Sequence, residues 1–403
     1  MKIRDKEYVI NRETARVTEW DKQYCNLCKE IIEHGELAPN RTGIETLQIP
    51  NAYIKLDVGE SFPILETKKV NMKNSITELL WIYQAQSNEV SWLHERNNHI
   101  WDEWVIDDDG IYRIYDPFIK ENLNRKVRLK YPNGKDYILP DEMPIDVGGL
   151  LPDKTIKNAI YYGKEYAGTI GDAYGSVLKK TGEFDNVLRD LKNNPRSRRM
   201  VVSLRQAKYL KDGVLEPCVW TSTFNVMRDK LHCNVNVRSN DMPLGNPFNV
   251  TQYAVLLAIL AKTNNFEMGE LAFNISNCHI YINQLKGIKL ELERFDRLTK
   301  WEKFIQTKSD EEVEREYEEL LSRKELLDKK IKDMPFLAND YEEIKREVDE
   351  EIMCFEHLIT RENPEIYIAP NKDFYSLDNK KENEDIKILK YTSLPFIKMP
   401  VAQ

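Results

Sequence analysis

Glu216-Pro217-Cys218 sets a thiol on a stiff stretch of backbone, and Arg238-Ser239-Asn240-Asp241 and Pro247-Phe248-Asn249 follow within about thirty residues. A thiol attacks carbon as its thiolate, and an ordinary cysteine titrates near about 8.5, so it needs positive charge or a base beside it. An arginine next to a serine can hold a phosphate. An asparagine amide offers a donor and an acceptor side by side, which suits one edge of a pyrimidine. Together these types point to covalent chemistry on a nucleotide. Taken singly, each has a plainer reading. Cys218 alone would be a buried structural cysteine, and Arg198-Arg199 would be surface charge. Glu78 would be a helix-edge acid that reaches solvent. His279 and Tyr281, two apart, would share one face of a strand. Cys25-Asn26-Leu27-Cys28 has metal-ligand spacing but no second pair, so it reads as two helix cysteines and no metal is expected. Cys233, Cys278 and Cys354 read as core.

Elements must bring these residues together. Helical spacing predicts a helix over 13–34, another over Asn74–Gln86 that carries Glu78, and a buried one over Val250–Lys262. Partial alternation predicts a strand over Thr46–Val58, and buried strands are predicted at Met200–Leu204 and Leu231–Val237. Residues 107–165 are rich in turn formers and read as a partly stranded surface excursion. Near 307–358 the chain turns strongly charged. Ser309-Asp310-Glu311-Glu312 has a capping-box pattern, and Asp333-Met334-Pro335 breaks a long helical run. This predicts an inserted charged helical hairpin, a solvated decoration rather than a partner-binding surface. One domain over 1–403 is expected, with the excursion and the hairpin as its additions.

The 403 residues are 41% hydrophobic and 31% charged, which suits a globular chain with an ample core. A net charge of −8 argues against direct nucleic-acid binding, though not against a mononucleotide in a local basic pocket. No run of eighteen apolar residues predicts a membrane span. The N-terminus does not read as a signal peptide, and six cysteines are too sparse for a disulfide scaffold, so a cytoplasmic setting is expected.

The ordered motifs as a set resemble the thymidylate synthase superfamily. They run from Arg41-Thr42-Gly43 through Thr67-Lys68-Lys69, Glu78-Leu79-Leu80-Trp81 and Ile100-Trp101-Asp102-Glu103-Trp104. They continue at Tyr174-Gly175, Arg198-Arg199, Pro217-Cys218, Arg238-Ser239-Asn240-Asp241, Leu244-Gly245, Pro247-Phe248-Asn249 and His279-Ile280-Tyr281, and end at Pro400-Val401-Ala402-Gln403. The resemblance implies an α/β (α+β) fold, a large mixed sheet with surrounding helices, and sheet-to-sheet pairing in a homodimer. It implies one-carbon transfer to C5 of a pyrimidine nucleotide, with 5,10-methylenetetrahydrofolate as co-substrate. Cys218 would attack C6, Glu78 would move protons, and Tyr174 would lie near the nucleophile. Arg41, Arg238 and Ser239 would hold the phosphate, with Arg198 and Arg199 reaching the partner subunit's nucleotide. His279 and Tyr281 would hold the ribose hydroxyl. Lys68, Trp101, Trp104, Asp241, Leu244, Gly245, Phe248, Tyr281 and Ala402 would line the folate side, Asp241 also serving the chemistry, and the C-terminal tail would close over the ligands.

Asn249, where cytosine-specific relatives carry aspartate, favours dUMP over dCMP. Val219 stands where synthases usually have histidine, and Asn240 where they usually have cysteine. These departures, with Thr221-Ser222-Thr223 and Arg228-Asp229-Lys230, resemble phage deoxycytidylate hydroxymethylases. The first expectation is therefore a dUMP hydroxymethylase serving a modified phage genome. The second is a thymidylate synthase, on Trp101, Trp104 and the tail. A catalytically silent binding protein on this fold is the third.

Overall fold

The computed structural model describes residues 1–3, 5–40, 43–115, 128–130, 136–138, 156–380 and 383–401. Arg41, Ala402 and much of the 107–165 excursion therefore lie outside the described residues.

In chain order, helix α1 (Glu19–His34) leads to strands β1 (Glu36–Ala38), β2 (Thr46–Ile49) and β3 (Ala52–Asp57). Helices α2 (Met72–Tyr83) and α3 (Val90–His94), strands β4 (Ile111–Tyr115) and β5 (Ile156–Tyr161), and helices α4 (Gly175–Thr181) and α5 (Glu183–Asn193) follow. Strands β6 (Val201–Ser203), β7 (Val219–Met227), β8 (Lys230–Val237) and β9 (Asn240–Asp241) precede helix α6 (Gly245–Thr263). Strands β10 (Glu267–Ile275) and β11 (Cys278–Tyr281) lead to the long helices α7 (Leu285–Thr307), α8 (Asp310–Asp333) and α9 (Ala338–Thr360).

Two compact units divide the chain. One takes in residues 1–79, 183–202 and 218–403, the other 80–182 and 203–217. The first holds two mixed sheets. A five-stranded sheet has the order β6-β7-β8-β10-β3, and a four-stranded sheet the order β9-β11-β2-β1. β7 and β8 pair antiparallel, while β8 and β10 run parallel. β8 alternates strictly between buried and half-buried positions, as a strand with one covered face should. Helix α6 packs against this sheet and is buried from Val250 to Ala261, so it has no polar face to show. Its N-terminal end carries Gly245, Phe248 and Asn249.

Several boundaries differ from the sequence reading for local reasons. α1 begins at Glu19 rather than near 13 because Thr18 caps it, its side chain accepting from the Asp21 N–H. The 46–58 segment makes two strands, β2 and β3, interrupted at Pro50-Asn51.

α8 and α9 form a helical pair joined by a short turn at Pro335–Leu337. Ser309 and Glu312 make the predicted reciprocal cap, at 3.2 and 3.0 Å. The tip is solvated, with Phe336 81% exposed. The base is not. Tyr317 donates to Glu356 at 2.7 Å and stacks on Phe355, and Arg294 of α7 pairs with Glu350 at 3.0 and 3.2 Å. Past the last turn of α9, Arg361 forks onto Glu66 at 2.7 and 2.8 Å, and His357 meets the same carboxylate at 2.9 Å. The base of the hairpin is thus core, which the charge pattern alone did not show.

Candidate active site

Cys218 sits one residue before β7, and Arg238 one residue after its partner β8. The Arg238 N–H donates to the Cys218 carbonyl at 2.9 Å, so hairpin register sets the thiol-bearing residue directly opposite the arginine. The register slips between Val219 and Thr221, leaving Trp220 as the extra residue of a bulge. Bulges of this kind re-aim side chains at the ends of strands. Cys218 is half-buried and, like the other five cysteines, outside any disulfide. The other five are fully buried, and burial pushes the Cys278 and Cys354 thiols up to about 12. Those thiols stay protonated and inert, as their reading as core requires.

Ser239 and Asn240 continue from Arg238 into β9, which runs parallel to β11 and sets Asp241 beside His279. Asn277, a residue that sequence reasoning did not single out, ties this corner together. Its carbonyl accepts from Asn240 N–H at 2.8 Å, and its side-chain oxygen lies 2.8 Å from His279 Nδ1 and 3.5 Å from Ser239 Oγ. Burial pushes the His279 pKa down to about 4, so the imidazole is neutral at pH 7. With Nδ1 donating to Asn277, Nε2 is left as an acceptor for a hydroxyl. Tyr281 stands two residues along the same strand, its ring edge-on to His279 at 5.1 Å.

Asn249 is half-buried near the start of α6. Its Oδ1 accepts from Asn240 Nδ2 at 3.1 Å, and Asn240 Oδ1 in turn accepts from Asn246 Nδ2. Glu78, on α2, is half-buried and accepts from Gln252 Nε2, which also reaches the Ser75 carbonyl at 3.3 Å. Phe248 is fixed through its carbonyl, which accepts from Ser75 Oγ at 3.3 Å.

Asp241 accepts from the Leu244 N–H at 3.3 Å and from Gln284 Nε2 at 3.1 Å, and burial raises its pKa to about 6. Gln284 is fully buried and uses its whole amide. Its Oε1 accepts from Tyr281 N–H at 3.1 Å, and its Nε2 also donates to the Pro400 carbonyl at 3.1 Å. It gave no signal in the sequence. Lys68 is buried, its ammonium donating to Glu291 at 2.9 Å, to the Pro243 carbonyl at 2.8 Å and to Tyr24 at 3.1 Å. In this state all three of its protons face the protein.

The second unit carries an aromatic group. Trp101 lies 5.4 Å from Trp104, 5.3 Å from Tyr174 and 5.7 Å from Trp81 between ring centroids. Tyr174 has a backbone φ of 50°, a left-handed conformation that a tyrosine adopts at a cost, just before α4. Gly175 follows it because a Cβ there would lie 2.5 Å from the Ser87 nitrogen. On an exposed turn of this unit, Asp102 also bonds His94 at 2.6 Å and His99 at 3.0 Å, a grouping the sequence reading did not anticipate. Arg198 and Arg199 are exposed on the first unit.

Comparison with known proteins assigns the fold and the family. The profile described as thymidylate synthase matches residues 22–403. The chain belongs to the thymidylate synthase family. A thymidylate synthase of Clostridium beijerinckii is 34% identical over 275 residues, 68% of this chain and 82% of the relative. One from Bacillus phage phi3T is 33% identical over 297 residues, 69% of this chain and 85% of the relative. Among solved structures, thermostable thymidylate synthase A from Bacillus subtilis superposes with a TM-score of 0.56 at 27% identity, covering 93% of this chain and 96% of that one. The thymidylate synthase fold inferred from the motifs is therefore present, and the family is one of one-carbon transferases using methylenetetrahydrofolate. These relatives are named as synthases, not hydroxymethylases. Among the described residues no helix is long and apolar enough to cross a membrane.

Proposed function

We propose that this chain is a thymidylate synthase that methylates dUMP reductively at C5. The observation that carries the reading is the apposition of Cys218 and Arg238 at the ends of β7 and β8, with Asn249 at the head of α6, in a family whose named relatives are synthases. The Cys218 thiolate adds to C6 of the uracil. The S–C6 bond forms, and the C5–C6 electron pair moves onto C5, which becomes the nucleophile. Arg238 and Ser239 hold the phosphate with Arg41, and the guanidinium field favours the thiolate. Neutral His279 accepts from the ribose hydroxyl, with Tyr281 beside it. Asn249 pairs with N3–H and O4 of uracil. Glu78, held by Gln252, takes and returns protons at the base.

Methylenetetrahydrofolate supplies the one-carbon unit and, for a methyl product, the hydride. The residues fit such a group. Trp101 and Trp104 offer flat walls for a pteridine ring, and Asp241, whose raised pKa lets it donate or accept near neutrality, suits ring nitrogens. Leu244 and Gly245 adjoin Asp241, and the family resemblance assigns Phe248, Tyr174, Lys68, Tyr281 and Ala402 to the same ligands. A homodimer is part of the proposal. Tyr53, Val201 and Trp220 on the five-stranded sheet are 59%, 41% and 39% exposed, three large apolar side chains that a second copy could cover. Arg198 and Arg199 would then serve the partner subunit's nucleotide.

A second reading, hydroxymethylation of dUMP, keeps one specific observation. Val219 and Asn240 depart from the usual synthase residues, and Asn240 bonds directly to the base-reading Asn249. Water, rather than hydride, would then complete the product, and tetrahydrofolate would leave. Mass spectrometry of the product formed from dUMP and methylenetetrahydrofolate tests both. A methyl product with dihydrofolate supports the synthase, a hydroxymethyl product with tetrahydrofolate the second reading. A Cys218→Ala protein that still turns over would refute either.

A further inference from the structure

An asparagine that reads a pyrimidine has an ambiguity built into it. Its amide is nearly symmetric in shape, and a 180° turn about χ2 exchanges donor and acceptor. One orientation offers a donor to O4 and an acceptor to N3–H, which fits uracil. The other offers an acceptor to the exocyclic amine and a donor to N3, which fits cytosine. Some neighbour must break the symmetry if the residue is to select one base.

Here the neighbour is visible. Asn240, 3% exposed, donates from Nδ2 to Asn249 Oδ1 at 3.1 Å. Asn240 could itself turn over and present its oxygen instead, but its Oδ1 is already taken by Asn246 Nδ2. The series needs an anchor, and Asn246 provides one. It is fully buried, and its Oδ1 is the atom left without a partner. Turning Asn246 over would leave its NH₂ unpartnered instead. An orphaned buried donor is rarer than an under-used carbonyl, so the observed orientation is the cheaper one. The backbone holds the middle member as well, since Asn240 N–H donates to the Asn277 carbonyl at 2.8 Å. The three amides therefore point one way. Asn249 keeps its oxygen toward Asn240, with a second lone pair to spare, and its NH₂ makes no hydrogen bond among the described residues.

We propose that Asn240, oriented by Asn246, is a specificity-determining positioning residue that locks the Asn249 amide in its uracil-reading orientation. It touches no reacting atom. It acts because the cytosine-reading orientation would turn the Asn249 NH₂ onto the Asn240 NH₂, setting donor against donor and losing the 3.1 Å bond. The inference rests on the proposed role of Asn249 as the base reader and goes beyond it, because it says why one amide should choose.

The test is kcat/KM for dUMP and for dCMP, measured for the wild-type protein, Asn240→Asp and Asn246→Leu. Asn240→Asp keeps the shape but replaces the donor with an acceptor, which invites Asn249 to turn over. The dUMP:dCMP ratio should fall by roughly 10- to 100-fold, the worth of one buried hydrogen bond of this kind. Asn246→Leu removes the anchor but not the donor, and a smaller fall of about 3- to 10-fold is expected. A ratio taken within one preparation is unaffected by the fraction that folds, so a merely structural role would leave it unmoved. Should Asn240→Asp fail to fold, Asn246→Leu decides alone. A uracil-selective wild type whose variants keep the same ratio overturns the relay and leaves the function standing. A wild type that turns over neither nucleotide overturns the function and the relay together.

Discussion

Arg361 offers the sharpest stability test. It is 4% exposed and Glu66 is 3% exposed, and the pair is joined by two parallel hydrogen bonds of 2.7 and 2.8 Å. Burial alone would push the Glu66 pKa up, but bonds from His357 and Arg361 outweigh it and hold the carboxylate below its ordinary range. Arg361→Ala removes the guanidinium and its two bonds and leaves a buried carboxylate with the 2.9 Å contact to His357 as its remaining side-chain partner. Breaking a buried pair from one side costs about 3–5 kcal/mol, a large part of a total stability of about 5–15 kcal/mol. The pair contributes while Glu66 is ionised, so its contribution is present above the unfolded glutamate pKa of about 4.3 and fades as pH falls through the lower folded value. Equilibrium urea unfolding at pH 7.5 should therefore show the full loss, and at pH 4 a smaller one. A loss under about 1 kcal/mol at pH 7.5, or one that grows on acidification, would refute the account.

Three further outcomes are expected. Asn249→Asp should shift preference from dUMP toward dCMP in competition assays, and unchanged base selectivity would undo its role as base reader. Asp241 has a folded pKa of about 6 against about 3.9 unfolded, so the native state holds its proton more tightly and stability from this group is lost as pH rises from about 4 to 6. The stability of wild type relative to Asp241→Asn should drop by about 2 kcal/mol between pH 4 and pH 7, at about 1.4 kcal/mol per pKa unit; a difference independent of pH would contradict the assignment. Gly175→Ala should lower thermal stability by about 1–3 kcal/mol, because the new Cβ meets the Ser87 backbone and not a yielding side chain. A melting temperature equal to wild type would show that this close approach is soft.

Much of the fold could be read from local pattern. β8 announces itself by alternation and α6 by unbroken apolarity, and Ser309 with Glu312 marks the start of α8. The candidate site was legible as motifs because Cys218, Arg238-Ser239 and Asn249 each carry a distinctive side chain. What stayed hidden were the residues that orient them. Asn277, Gln284, Gln252 and Asn246 are single amides with no period and no charge, and their meaning lies in partners brought up by the fold. Glu66 and Arg361 are almost 300 positions apart, so nothing in either neighbourhood announces their pairing. The same distance explains why α9 read as a solvated helix. Its charges dominate the pattern, while its base is held by groups from the opposite end of the chain.

Gln284 joins three stretches that are far apart in sequence. Its single amide serves the β11 strand at Tyr281, the carboxylate of Asp241 and the tail at Pro400. Free energy in such a junction has no direction. If a ligand on Asp241 steadies Gln284 and thereby favours the docked tail by some factor, the docked tail must favour that ligand by the same factor. Trimming the last residues and loosening the ligand are then two measurements of one quantity. The extent to which this tail is ordered without ligand sets how much affinity remains to be gained when it docks.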